Sequence, residues 1–331
     1  MAVADNLVGL DERSRPDRAT MTTLITRVKS RLFIRSSQKS MHALDGAYAS
    51  LLRGRSLDFE DLRPYEYGDQ VRDIDWRATA RHGEPLIKRT RATRRHTVLF
   101  LVDTGRGMQA LAEDERPKSE LVVLLVGALG LLTVRHGDDF SVIHGDAGGI
   151  RRLPPGGTEG SLEQALRTLR GTIDASTAPS DRDAVLAWTA RHVPRRSIVV
   201  IVTDEAPLTA DTDRLLRRLR VQHDVLWLTV RDARIVPAER SAGAFDRLVD
   251  PSPPRTAPVR RRDVDSGWSV PDFVYGDTGV MAELAAQEAA DTARRHQVLR
   301  RHEITHAEFD GQDAAVPTLL TMLNRRSHAR L

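Results

Sequence analysis

Thr97-Val98-Leu99-Phe100-Leu101-Val102-Asp103-Thr104-Gly105-Arg106-Gly107-Met108 opens with a β-rich apolar run and continues into an acidic residue and two glycines around an arginine. Apolar residues at successive rather than alternate positions mark a strand covered on both faces. The carboxylate follows directly, and ligands of open parallel sheets gather outside the carboxyl ends of the strands. Ser197-Ile198-Val199-Val200-Ile201-Val202-Thr203-Asp204-Glu205 has the same form, an Ile/Val run ending in acidic residues. Two such strands, each ending in a carboxylate, predict a parallel sheet with a site at one rim.

Outward from these runs, strands and helices alternate. Leu24, Val28 and Leu32 recur at helical spacing and predict a helix over 21–33. Strands are expected at 97–102, 139–144, 197–202, 224–230 and 303–309. Helices are expected at 118–134, 161–169, 184–192, 211–220, 278–301 and 314–326. This order predicts an α/β fold, a doubly wound and mostly parallel sheet with helices on both faces. Residues 233–276 break the rhythm with Pro251-Ser252-Pro253-Pro254 and Arg260-Arg261-Arg262, and read as a surface insertion. The chain divides into a tail at 1–20 expected to be disordered, a helix and charge-rich segment at 21–95, and the α/β domain at 96–331.

Composition narrows the class. The 331 residues include 40% hydrophobic and 29% charged residues and no cysteine, so disulfides, thiolate metal sites and cysteine catalysis are excluded. The net charge of +4 is too small to argue for nucleic acid by itself. Nothing near the amino terminus reads as a signal peptide. The longest apolar run, Leu121 to Val134, has 14 residues, whereas a membrane helix needs roughly 20. It predicts a helix buried inside the fold, and the chain is expected to be cytoplasmic with no membrane segment.

A third element, Gly156-Gly157-Thr158, precedes the helix expected from Ser161. Asp103, Thr158 and Asp204 are expected to meet at the carboxyl rim, where two carboxylates and a hydroxyl can converge on a hard cation. This constellation resembles the metal-ion-dependent adhesion site of von Willebrand factor A-like domains. That family has Asp-x-Ser-x-Ser after its first strand, a Thr in a middle loop and an Asp after its fourth strand. Asp103, Thr158 and Asp204 stand at matching positions, and Gly105 and Gly107 replace the serines. The resemblance implies a degenerate site with weak or absent Mg2+ binding. On the alternative reading, Asp103 and Asp204 cap loops, and the glycines serve a tight turn.

The segment Gly54 to Arg81 is the most distinctive. Asp58 to Asp75 holds seven acidic residues, and Arg77 to His96 holds seven basic ones, so the two halves are expected to pair, with Tyr65, Tyr67 and Trp76 packed beneath. Leu62-Arg63-Pro64-Tyr65, Tyr67-Gly68-Asp69, Arg72-Asp73-Ile74-Asp75-Trp76-Arg77 and Ala80-Arg81 resemble the signature of the bacterial family called domain of unknown function 58 (DUF58). That family places this segment before a von Willebrand factor A-like domain. The resemblance implies a non-enzymatic protein-binding module acting with a MoxR-type AAA+ ATPase, or with its client, in chaperone-like assembly. Arg63, Tyr65, Asp69, Arg72, Asp75 and Trp76 are candidate partner contacts. Arg106, between the two glycines, is a further candidate that can offer a guanidinium to a partner carboxylate.

Two other readings are weighed. Asp103 and Asp204 can serve a weak metal-dependent hydrolase. Lys88 to Arg95 can follow a phosphate backbone, although an internally paired face is the simpler reading and no nucleic-acid partner is expected. Gly105 lacks the second carboxylate of an Asp-x-Asp-x-Thr phosphatase, and no P-loop motif occurs.

Overall fold

Six strands form the central sheet, and their apolar runs fix its position. The computed structural model describes residues 23–34, 44–46, 48, 61–67, 69, 71, 74–89, 96–233, 264, 267, 271 and 277–328. The tail at 1–20 and most of the insertion at 233–276 lie outside them. The elements are α1 (Leu24–Ile34), β1 (Asp61–Pro64), α2 (Trp76–His82), β2 (Leu86–Arg89), β3 (Thr97–Asp103), α3 (Lys118–Arg135), β4 (Asp139–Asp146) and β5 (Gly149–Arg152). They continue as α4 (Glu159–Asp174), α5 (Arg182–His192), β6 (Ile198–Thr203), α6 (Ala210–Gln222), β7 (Asp224–Val230), α7 (Thr278–Arg301), β8 (Thr305–Phe309) and α8 (Gln312–His328).

The sheet order is β5-β4-β3-β6-β7-β8. Every pairing is parallel except β4 with β5. Counted from β3, this is the doubly wound order 3-2-1-4-5-6, in which the chain turns back at β3 and opens a crevice between the ends of β3 and β6. The fold is α/β, a doubly wound and mostly parallel sheet with helices on both faces, as expected.

Alternate residues of the central strands feed two cores. Val98, Phe100 and Val102 pack with α1, α3, α4 and α8, whereas Leu99 and Leu101 pack with α5, α6 and Trp227. The Leu121–Val134 run is a helix buried almost all round, as its composition predicts. α1 closes it on one side. A Cβ on Gly127 would lie 2.7 Å from Val28 Cγ2, so glycine lets the two helices approach. The amides of Leu24 and Ile25 donate to the Glu163 carboxylate of α4 at 3.1 and 2.9 Å, which caps the start of α1.

The hairpin strand β5 is the main departure from the sequence reading. Gly149-Ile150-Arg151-Arg152 has one apolar side chain and does not read as a strand, yet it pairs antiparallel with β4. It reverses the chain and carries residues 153–158 back to the amino end of the sheet. There Gly156 bridges Phe140 near the start of β4.

Candidate functional site

Asp103 and Asp204 come together because β3 and β6 are neighbours in register, Val98 with Ile198 through Val102 with Val202. Both carboxylates are buried at the carboxyl rim. Each closes a local turn: Asp103 Oδ1 accepts from the Gly105 amide at 2.9 Å, and Asp204 Oδ1 accepts from the Ala206 amide at 3.1 Å. Burial, and then the charge of Asp204, push the Asp103 carboxyl up to about 7. The Gly105 amide, the Arg182 guanidinium and the Ser180 hydroxyl work in the opposite direction.

Ser180 and Arg182 are the rim residues that the sequence reading missed. They lie in and just after the loop that joins α4 to α5. Three anchors hold this loop over the rim. Arg106 N donates to Ala178 O at 2.9 Å, Ala147 N to Pro179 O at 3.1 Å, and the Gln109 amide to the carbonyls of Ile173, Asp174 and Ser176. Asp181 caps α5 by accepting from Ala184 N at 2.8 Å. The buried Arg182 donates to the carbonyls of Ala206 and Pro207 at 3.1 and 2.9 Å, and its guanidinium lies 5.6 Å from the Trp227 ring centre. A hydroxyl-rich loop, Ser176-Thr177-Ala178-Pro179-Ser180, ahead of an Asp-capped helix was the available signal.

Thr158 does not join the rim. It caps α4, accepting from Ser161 N at 3.2 Å in a reciprocal capping box, at the opposite end of the strands from Asp103 and Asp204. The expected three-residue convergence is therefore corrected to Asp103 and Asp204 with Ser180 and Arg182, because β5 carries the Gly156-Gly157-Thr158 turn away.

Gly105 also has a role beyond a missing hydroxyl. A Cβ there would fall 2.3 Å from Ser180 Cα and 2.5 Å from Ser180 N, so the Ser180 backbone occupies the space that a serine would need. Its φ of −69° is ordinary, and close approach rather than turn geometry requires the glycine. Gly107 lies in the following 3₁₀ turn, Arg106–Gln109, and its carbonyl accepts from the Lys118 ammonium at 3.3 Å.

In charge, these residues are a poor match for a divalent cation. Mg2+ needs near-octahedral oxygen coordination. The rim offers two carboxylates, each with an oxygen bound to an amide, and Arg182 already sets a fixed positive charge against Asp103. Among the described residues, no group of three or more His, Asp or Glu is placed to hold a metal ion. Asp103 Oδ2, Thr104 Oγ1, Ser180 Oγ and Thr203 Oγ1 are buried without a hydrogen-bond partner of good geometry, which leaves the rim polar and under-satisfied.

A second ionic network borders it. Lys118, buried at the start of α3, pairs with Asp232. Arg231 reaches Glu113, Asp310 and Glu205 at 3.3, 3.5 and 3.6 Å. Burial, then Asp232, raise the Glu205 carboxyl above its ordinary range. Burial acts upward on Glu308 too, but the hydrogen bond and charge of Arg295, 2.8 Å away, hold it below its usual range.

The charge-rich segment forms a separate two-stranded sheet, β1 with β2, followed in space by α2. Asp75 caps α2, accepting from the amides of Arg77 and Ala78 at 2.9 and 3.0 Å. Asp69 Oδ2 accepts from Glu66 N at 2.9 Å. The aromatic residues are not packed beneath the charges as expected: Tyr67 is fully exposed, Trp76 is 65% exposed, and Tyr65 and Val71 are exposed beside them. Arg63 stands in β1. Its side chain, Arg72 and the side chains of Lys88 to Arg95 lie outside the described residues.

The fold and rim define a doubly wound α/β domain with a buried polar site at the strand ends, joined to a small charged sheet. The chain belongs to the DUF58 family, "Protein of unknown function DUF58", whose model matches residues 61–262. It is 27% identical over 267 residues to the uncharacterized proteins Mb1516 of Mycobacterium bovis and Rv1480 of Mycobacterium tuberculosis, covering 78% of this chain and 76% of each relative. Similar solved structures include an aerotolerance-related membrane protein from Bacteroides fragilis, with TM-score 0.38, 16% identity, and coverage of 70% of this chain and 99% of that one. Another is a von Willebrand factor type A protein from Catenulispora acidiphila, with TM-score 0.35, 12% identity, and coverage of 69% of this chain and 42% of that one. No helix among the described residues is long and apolar enough to cross a membrane.

Proposed function

We propose that this protein is a non-enzymatic, cytoplasmic interaction module, an adaptor that acts with a MoxR-type AAA+ ATPase or its client. One observation carries the reading. Tyr65, Tyr67, Val71 and Trp76, in and beside the family signature, stand exposed between β1 and the start of α2. Exposed apolar residues grouped with charges mark protein-binding surfaces, and Tyr and Trp are favoured anchors there. Arg106, in the 3₁₀ turn at the edge of the rim, supplies a second contact region. In this reading Arg106 offers its guanidinium to a partner carboxylate, the task that a cation performs in an intact adhesion site.

The test is capture of a purified MoxR-type ATPase from the same organism. Wild-type protein is expected to retain it with or without EDTA, and Arg106→Ala and a Tyr67→Ala/Trp76→Ala double variant to lose it while unfolding at the wild-type temperature. Equal capture by all three proteins, or loss of capture with EDTA, overturns the proposal.

A further inference from the structure

A cleft of about 590 Å³ opens between α4 and the β4–β5 hairpin, next to the rim but separate from the signature segment. His144 and Thr104 line it. His144 is 2% exposed, and among the described residues neither of its ring nitrogens has a hydrogen-bond partner, nor does the buried Thr104 Oγ1. Buried polar groups are nearly always paired, so two neighbouring ones lining a cleft point to a ligand. Burial, and then the charge of Arg151, hold His144 below its ordinary pKa. The ring is therefore neutral at pH 7, with one donor and one acceptor.

The walls keep the space open. Gly171 sits within α4, where glycine weakens a helix, and a Cβ there would meet nothing within 4 Å. The lining also includes two exposed cations, Arg151 on β5 and Arg167 on α4. Arg167 spends only its Nε on Glu163, at 2.6 Å. The one lining carboxylate, Asp146, is occupied: its oxygens accept from Gly148 N at 2.8 Å and from the Ser176 hydroxyl at 3.1 Å. Hydrogen bonding leaves Asp146 charged, so the lining carries two guanidinium groups against one carboxylate, a small positive excess that is reduced further where Glu163 pairs with Arg167.

We infer that this cleft binds a small free molecule carrying an oxyanion, phosphate or carboxylate, together with a hydroxyl. The anion sits between Arg151 and Arg167, and the hydroxyl reaches His144 and Thr104. The site does not depend on the adaptor reading. It is tested on the full chain with isotope-labelled histidine, by following the His144 ring signals, assigned through His144→Gln. The probes are glycerol 3-phosphate, inorganic phosphate and glycerol at constant ionic strength. Glycerol 3-phosphate is expected to shift these signals saturably, and glycerol to leave them unmoved. Arg151→Gln/Arg167→Gln is expected to weaken the response about tenfold or more without lowering the unfolding temperature. Unmoved His144 signals with both anions, an equal response to glycerol, or an unchanged response in the double variant overturns the inference.

Discussion

Gly105 shows how far the need for one residue depends on what packs against it. A glycine two residues after Asp103 is visible in the sequence, but the Ser180 backbone 2.3 Å from a would-be Cβ is not. Placing a serine there should therefore harm the fold. Gly105→Ser is expected to cost about 1–3 kcal/mol in denaturant unfolding, with no recovery on adding Mg2+. Asp103 gives a pH signature. Its carboxyl rises from 3.8 to about 7 on folding, so between those values the folded chain holds more protons than the unfolded chain. Stability should fall as pH rises through that window, by up to about 4 kcal/mol at one pKa unit per 1.36 kcal/mol, and level off above it. Asp103→Asn should flatten the slope in unfolding curves taken from pH 4 to pH 8.

At the scale of the element, Thr158 belongs to a helix start and not to a binding rim. Thr158→Ala is expected to cost about 1 kcal/mol through the lost cap, measured by thermal unfolding, and to leave partner capture unchanged. The central strands were legible because their apolar runs can sit only inside a covered sheet, and most helices followed from spacing within a few residues. β5 was not legible, because an exposed edge strand of four residues with two arginines carries no hydrophobic pattern. That single omission displaced Thr158, since the direction of the chain after β4 depends on it. Ser180 and Arg182 escaped for a related reason: they meet Asp103 through a loop whose path is set by tertiary hydrogen bonds to Arg106, Ala147 and Gln109. The aromatic residues of the signature were expected beneath the charges and are exposed instead, because nothing in the sequence fixes which way they face.

At the scale of the whole molecule, basic side chains are interleaved with the carboxylates of the rim. Arg182, Lys118, Arg231 and Arg295 are set among carboxylates along the carboxyl ends of β3, β6, β7 and β8. Addition of Mg2+ or EDTA is accordingly expected to leave the unfolding temperature of the wild-type chain unchanged in a thermal melt, whereas a metal-dependent fold would respond to both. The region shared with the family starts at residue 61, yet α1 lies outside it and covers one side of the apolar helix α3. A shortened chain beginning at residue 61 would carry that oily flank naked into water. Such a truncation should emerge as aggregate, and adding back residues 1–60 as a separate peptide should return some of it to solution.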